Sequence, residues 1–244
     1  MSGVAQGRAQ PVPEAADAPA LAVVIGRGGI GGAVAAALRA DPAFAEVLVF
    51  GRGSTSALDL RDEASIAACA AVVAARGVPR LVFDATGFLH GDGISPEKSL
   101  RQLDPAHLAH AFAINAIGPA LLMKHFVPLL PTAGRAVFAT LSAKVGSIGD
   151  NRLGGWYAYR ASKAALNQLV RTAAIELRRR NPAAVCVALH PGTVDTGLSA
   201  PFAKAGLQVQ TPAQAAERLL GVLAGLGPAD SGEFFSYRGE RLPW

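Results

Sequence analysis

Tyr159 and Lys163 stand four positions apart in the run Trp156-Tyr157-Ala158-Tyr159-Arg160-Ala161-Ser162-Lys163. On a helix that spacing puts both side chains on one face. The chemistry it allows is proton transfer. A phenol with an ordinary pKa near 10 is a poor proton donor or acceptor at neutral pH, and a nearby ammonium changes this by favouring its anion. Two more polar residues belong with the pair. Ser142 closes the apolar run 136–141, and Asn115 lies inside a helix-length apolar segment. A hydroxyl and an amide beside a phenol and an ammonium can bind an oxygen atom and move a proton to or from it.

A second feature lies near the start of the chain. The run 21–25 is wholly apolar and leads into Gly26-Arg27-Gly28-Gly29-Ile30-Gly31, followed by an Ala-rich segment. This fits G-x-G-x-x-G in the context that gives it meaning, a strand before and a helix after. Glycines permit a tight turn and let the backbone approach a pyrophosphate, whose charge sits at the helix N-terminus. A carboxylate at the end of the second strand would grip a free ribose 2′-hydroxyl. Here that place reads Phe50-Gly51-Arg52-Gly53. An arginine can bind a 2′-phosphate bidentately, and Arg27 offers a second clamp; the plainer alternative makes Arg52 a solvated turn residue. Asp59 and Leu60 follow a short strand-like stretch and place a carboxylate toward an adenine amino group. NADP is the expected cofactor, with NADPH preferred over NADH.

These groups need a scaffold that gathers distant segments. Apolar runs at 21–25, 47–50, 81–84, 136–141, 185–189 and 233–237 alternate with amphipathic segments at 30–40, 62–76, 105–127, 155–180 and 211–226. Strands that are apolar throughout are buried on both faces, and their alternation with helices predicts a parallel sheet covered on each side. With the short stretch before Asp59, about seven strands are expected in one doubly wound α/β domain of Rossmann type, spanning 20–244. Residues 1–19, rich in Ala, Pro, Gly and Gln, read as a disordered tail.

Composition narrows the function classes. Of 244 residues 17% are charged and 51% hydrophobic, which excludes a disordered chain. The net charge of +5 invites nucleic acid as a partner, but the arginines are scattered. The single run, Arg178-Arg179-Arg180, ends a predicted helix, where cations complement the helix dipole. No nucleic-acid partner is expected. No run approaches about 18 uninterrupted apolar residues, so no membrane span is expected. The N-terminus lacks a basic region before an apolar core, and a cytoplasmic setting is the expectation. Cys69 and Cys186 lie in apolar segments and read as reduced core thiols. His107 and His110 are helically spaced, but no third ligand stands near, so no metal is expected.

Taken together, the glycine loop and the set of Asn115, Ser142, Tyr159 and Lys163 resemble the short-chain dehydrogenase/reductase superfamily over essentially everything after the tail. Within it, residues 146–157 and the ending 234–244 look like the C-factor-like subgroup. The resemblance implies that Tyr159 transfers the proton, while Lys163 holds the nicotinamide ribose and lowers the tyrosine pKa. It implies that Ser142 binds the carbonyl oxygen and that Asn115 supports a water relay to Lys163 through a backbone carbonyl. The segment His190-Pro191-Gly192-Thr193-Val194-Asp195-Thr196 is similar to the family's Pro-Gly element, which brings the Val194 backbone and the Thr196 hydroxyl to the nicotinamide carboxamide.

Three departures from the family pattern stand out. The glycine loop is one residue short. The Asn-Asn-Ala-Gly element appears as Asp84-Ala85-Thr86-Gly87. Ser142 lies farther ahead of Tyr159 than the usual spacing of about 13 residues, which predicts a long loop over 147–155 and leaves Ser147 as a rival to Ser142. The segment 197–210, with Leu198 and Phe202, sits where this fold carries its substrate lid, an ordinary surface loop being the alternative. The implied function is an NADP-dependent oxidoreductase acting on a small-molecule carbonyl or alcohol, as a homo-oligomer (dimer or tetramer). The alternative is a dinucleotide-binding signalling or regulatory protein with little turnover.

Overall fold

The computed structural model describes residues 20–91, 93–199 and 209–244. Its strands in chain order are β1 (Ala20–Ile25), β2 (Phe44–Phe50), β3 (Pro79–Asp84), β4 (Val137–Leu141), β5 (Val185–His190), β6 (Thr193–Val194), β7 (Val209–Gln210) and β8 (Phe234–Ser236). The helices are α1 (Gly29–Ala40), α2 (Glu63–Arg76), α3 (Pro105–Phe112), α4 (Gly118–Phe126), α5 (Tyr157–Arg180) and α6 (Pro212–Gly225). Six strands form one parallel sheet in the order β2-β1-β3-β4-β5-β8, and β6 pairs with β7 apart from it. The chain moves from β1 to β2 on one side, then returns past β1 to β3 on the other. That reversal creates a crevice beyond the carboxyl ends of β1 and β3, the usual ligand position in such sheets.

Among the described residues the sheet has six strands, not seven. The stretch before Asp59 contributes only a single bridge, between Ala57 and Gly51. The Ser54 hydroxyl lies within hydrogen-bond distance of the carbonyls of both Gly51 and Ser56 and has one proton to donate between them, which curls the segment into a turn before a strand can develop. The expected tail at 1–19, and most of the expected lid including Phe202, lie outside the described residues.

Alternation along the strands builds two cores. Leu21, Val23 and Ile25 face one side with Phe138, Cys186 and Phe234, packed against Ile66 of α2, Phe126 of α4 and Leu166 of α5. Ala22 and Val24 face the other with Phe83, Val187 and Leu189, covered by Val34 of α1 and Leu219 of α6. Each fully buried Val, Leu, Ile or Phe contributes about 1.5–3 kcal/mol relative to exposure. Cys69 and Cys186 are buried, unpaired thiols within the first core, as expected.

The helical stretch Pro105–Leu129 contains an 18-residue window of mean hydropathy 1.3, long and apolar enough by composition to cross a bilayer. In the structure it buries Ala111, Asn115, Leu122 and Phe126 and packs on α2 and α5, as a core helix does. It is not one regular helix. A turn of π-helix, Ala113–Ile117, joins α3 to α4 and carries Asn115. Such turns concentrate at functional positions.

Candidate active site

The strand ends align in register: Ile25 pairs with Phe50 and Asp84, Asp84 with Thr140, and Leu141 with Leu189. Beyond this edge opens a cleft of about 710 Å³. It is lined by Gly26, Arg27, Gly28, Gly29 and Ile30 of the glycine loop, by Arg52, Asp59 and Leu60, and by Ala85, Thr86 and Gly87 after β3. Ser142, Tyr159, Lys163, Pro191 and Thr196 complete the opposite wall. Most of the residues expected at the site therefore meet in one cleft. Gly31, Asn115, Gly192 and Val194 do not line it; they lie just behind and support residues that do.

Two of these supporting positions show why glycine stands there. A Cβ on Gly31 would lie 2.0 Å from the Gly26 carbonyl oxygen, so only glycine lets α1 start this close to the end of β1. Gly192 has φ +76°, and a Cβ there would meet the Gln210 amide and the Tyr237 ring at 2.7 Å. The loop itself is open where a ligand would lie. Gly28, the N-cap of α1, supplies no side-chain cap, and nothing stands within 4 Å of the position a Cβ would take. Uncapped N–H groups at a helix start, facing a cleft over bare backbone, fit a pyrophosphate.

The charged rim follows the sequence in part. Arg52 is exposed and makes no hydrogen bond among the described residues. Arg27 lies along Gly51 and donates to the Gly53 carbonyl. Asp59 reaches the cleft, but its carboxylate is held by Arg61, Nη2 to Oδ2 at 2.8 Å and Nε to Oδ1 at 3.1 Å. Those hydrogen bonds, with the charges of Arg61 and Arg52, hold its pKa at about 2. Arg61 is a third cleft arginine, which the sequence does not announce because Asp59 reads there as a ligand group rather than as its partner.

At the other wall, Lys163 is buried, and its Nζ donates to the Leu141 carbonyl at 2.8 Å. Burial lowers its pKa to about 8, with the charge of Asp84 acting in opposition. Tyr159 is half-buried at the cleft, and burial pushes its phenol above the ordinary range. This differs from the expected lowering by Lys163. In the structure the ammonium is committed to Leu141, and desolvation of the phenol dominates. Ser142 follows β4, buried beside Tyr159 in the cleft wall. Ser147, its rival, faces a separate groove and donates to the Trp244 carbonyl at 3.2 Å. The predicted long loop is present between them and α5. Arg160 ties it down with donors to the carbonyls of Val145, Gly154 and Gly155.

Asn115 sits behind the wall. Its Oδ1 accepts from the Phe88 N–H, and its Nδ2 donates to the Phe88 carbonyl and to Ser162 Oγ. Gly87 leaves a gap here: a Cβ would lie 3.7 Å from both Asn115 Oδ1 and Lys163 Nζ. Where the family element departs at 84–87, Asp84 pins the turn. Its Oδ1 accepts from the Thr86 N–H and hydroxyl and its Oδ2 from the Thr140 hydroxyl, all within 2.9 Å.

A family model described as Enoyl-(Acyl carrier protein) reductase matches residues 31–221. A 1-hydroxy-2-glutathionyl-2-methyl-3-butene dehydrogenase of Rhodococcus sp. (strain AD45) is 32% identical over 188 residues, 77% of this chain and 78% of that one. The chain belongs to the short-chain dehydrogenase/reductase superfamily. The C-factor-like resemblance has its counterpart in the C-signal protein of Myxococcus xanthus, 40% identical over 147 residues, 60% of this chain and 84% of that one. The NADPH-bound carbonyl reductase from chicken fatty liver superposes with a TM-score of 0.80 at 26% identity, over 92% of this chain and 94% of the other. A protein of Burkholderia multivorans described as a short-chain dehydrogenase/reductase, solved with NADP bound, gives 0.76 at 25% identity, over 93% and 100%.

Within this superfamily frame, two polar residues that the sequence reading passed over stand out. Glu97 is buried, and its carboxylate accepts from the Ala158 N–H at the start of α5 and lies 3.1 Å from His107 Nδ1. Its backbone carbonyl accepts from Trp156, whose left-handed φ of 54° begins the helix. Glu97 thus holds the end of α5 that carries Tyr159. It lies about 60 positions away in sequence, with no local pattern to announce it. The second is Asn167, buried against Ser142.

Proposed function

We propose that the chain is an NADP-dependent carbonyl reductase, reducing a small, largely apolar carbonyl compound to an alcohol and able to run in reverse. The observation that carries this reading is the convergence of Ser142, Tyr159 and Lys163 with the open glycine loop and Arg52 in one cleft at the switch point. The dinucleotide, when bound, supplies the hydride. The glycine loop would hold its pyrophosphate, Arg52 and Arg27 its 2′-phosphate, and Lys163 its ribose hydroxyls. Ser142 Oγ would hydrogen-bond the substrate oxygen, and Tyr159 would give that oxygen its proton. A phenol raised by burial is fully protonated at neutral pH, which suits a proton donor. Phe88, Ile114 and Leu198 give the remaining wall its apolar character, with His90 and His110 among them.

The test is consumption of NADPH with a varied panel of aldehydes and ketones. Stoichiometric NADPH binding without consumption across the panel would instead support a dinucleotide-binding regulator. Ser142→Ala is expected to lower turnover by about 10²-fold or more, as loss of other oxyanion donors does. Ser147→Ala should leave it near the wild-type value, and the reverse pattern would move the role to Ser147.

Arg52→Ala is expected to weaken NADPH binding while hardly changing NADH binding. Charge-assisted hydrogen bonds of this kind contribute about 1.5–3 kcal/mol, or roughly 10- to 150-fold in affinity. Titrating wild type and variant with both dinucleotides decides it. Equal weakening of both would make Arg52 only a turn residue.

A further inference from the structure

Ser142 has one proton to give, and the structure shows where it goes. Its Oγ lies 2.7 Å from Asn167 Oδ1 and donates to it, with both residues only 3% exposed. In this arrangement the serine can accept a hydrogen bond at the cleft but has none left to donate. The same arrangement leaves Asn167 Nδ2 buried without a hydrogen-bond acceptor among the described residues. A buried N–H group left unpaired is costly, and an under-used carbonyl oxygen less so. A half-turn of the amide exchanges its two ends. Nδ2 then donates to Ser142 Oγ, the orphaned donor is satisfied, and the hydroxyl proton is released toward the cleft.

Asn167 is placed for this by the helix. Tyr159, Lys163 and Asn167 follow one another at four-residue steps along α5, on one face. Asn167 lies behind Ser142 and does not line the cleft, so it touches neither substrate nor cofactor. We propose that Asn167 is a positioning residue whose amide sets the direction of the Ser142 hydroxyl: Nδ2 donates when Ser142 must donate to a carbonyl oxygen, and Oδ1 accepts when Ser142 must accept from an alcohol. An amide is suited to this because it carries both a donor and an acceptor. The inference rests on the carbonyl reductase reading and deepens it.

The experiment is a double-mutant cycle, with kcat for a reducible carbonyl and the Kd for NADPH measured in parallel. Asn167→Leu keeps a buried side chain of similar size without donor or acceptor. It is expected to lower kcat by about 10-fold, a part of what Ser142 itself contributes, with the Kd for NADPH unchanged. In the Ser142→Ala background the same substitution should change kcat less than about 2-fold, since its only route of action is gone. Asn167→Asp offers acceptors alone when ionised; it holds the serine proton and should fall at least as low as Asn167→Leu. It also serves if Asn167→Leu does not fold. Equal losses from Asn167→Leu in both backgrounds would make the residue structural and overturn the proposal. So would an Asn167→Asp variant as active as wild type. A wild type that turns over no carbonyl would overturn the functional reading and this inference with it, whereas an active wild type with an additive cycle overturns this inference alone.

Discussion

Tyr159→Phe is expected to reduce carbonyl turnover by about 10²–10⁴-fold, the range for loss of a positioned general acid. NADPH binding should stay close to the wild-type value. The substitution removes one oxygen from a half-buried ring and leaves the Trp156 edge contact and the helix start unchanged. The phenol makes no hydrogen bond among the described residues that its loss would leave unpaired, so the fold has little to lose. Single-turnover rates and dinucleotide titration on the same preparation separate the two effects. A variant that loses NADPH affinity as far as it loses turnover would take the proton-donor role away from Tyr159.

Lys163→Met should damage both. The thioether preserves most of the buried stem and deletes the ammonium. The loss of a charge-assisted contact to ribose corresponds to roughly 10- to 150-fold in NADPH affinity, and turnover falls with it because the nicotinamide ribose is no longer held in place. Unchanged NADPH affinity would sink this assignment.

The lysine also predicts a pH dependence. With its pKa at about 8, the ammonium is present below that pH and lost above it. The profile of kcat/KM for reduction should therefore bend downward near pH 8. Lys163→Arg, if it folds, should remove the bend because a guanidinium stays charged. A second consequence follows for the cofactor-free protein. The folded value lies below the ordinary lysine value of 10.5, so the unfolded chain binds more protons between the two. Stability from this group therefore rises as pH climbs from about 8 toward 10.5, and is at its lowest below pH 8. Urea midpoints across that range check the sign.

The parts of this molecule that were legible in the sequence are those whose causes are local. A strand buried on both faces must be apolar throughout, so 21–25 and 185–189 announced themselves. Gly31 must be glycine for a reason contained in six residues, its close approach to the Gly26 carbonyl. The four-step spacing of Tyr159 and Lys163 is a property of any helix. What stayed hidden depends on partners far apart in the chain. Nothing near Glu97 predicts that it will cap a helix starting at Tyr157. Nothing near Asn167 predicts a serine at the end of β4. The carboxylate of Asp59 was legible as a cleft group, but not its capture by Arg61 two residues later, since either outcome fits the same letters. The expected fall in the Tyr159 pKa failed for a related reason. Burial is set by the whole fold, and here it outweighs the influence of a neighbour chosen from spacing.

The single π-turn between α3 and α4 adds one residue to what would otherwise be a regular helix. Each residue of an α-helix advances the side chains by about 100°, and a wide turn takes up the extra one without passing that rotation on to α4. Upstream of it Ala111 faces inward; downstream Leu122 and Phe126 do the same, and Asn115 in the turn itself points to Phe88. The wide turn absorbs the extra residue, so Leu122 and Phe126 keep the inward phase of Ala111 while Asn115 reaches Phe88. Shortening the turn by one residue would keep that apolar packing and take away the bulge that brings Asn115 to Phe88. A deletion there should therefore be tolerated by the core and felt in the cleft, whose wall includes Phe88.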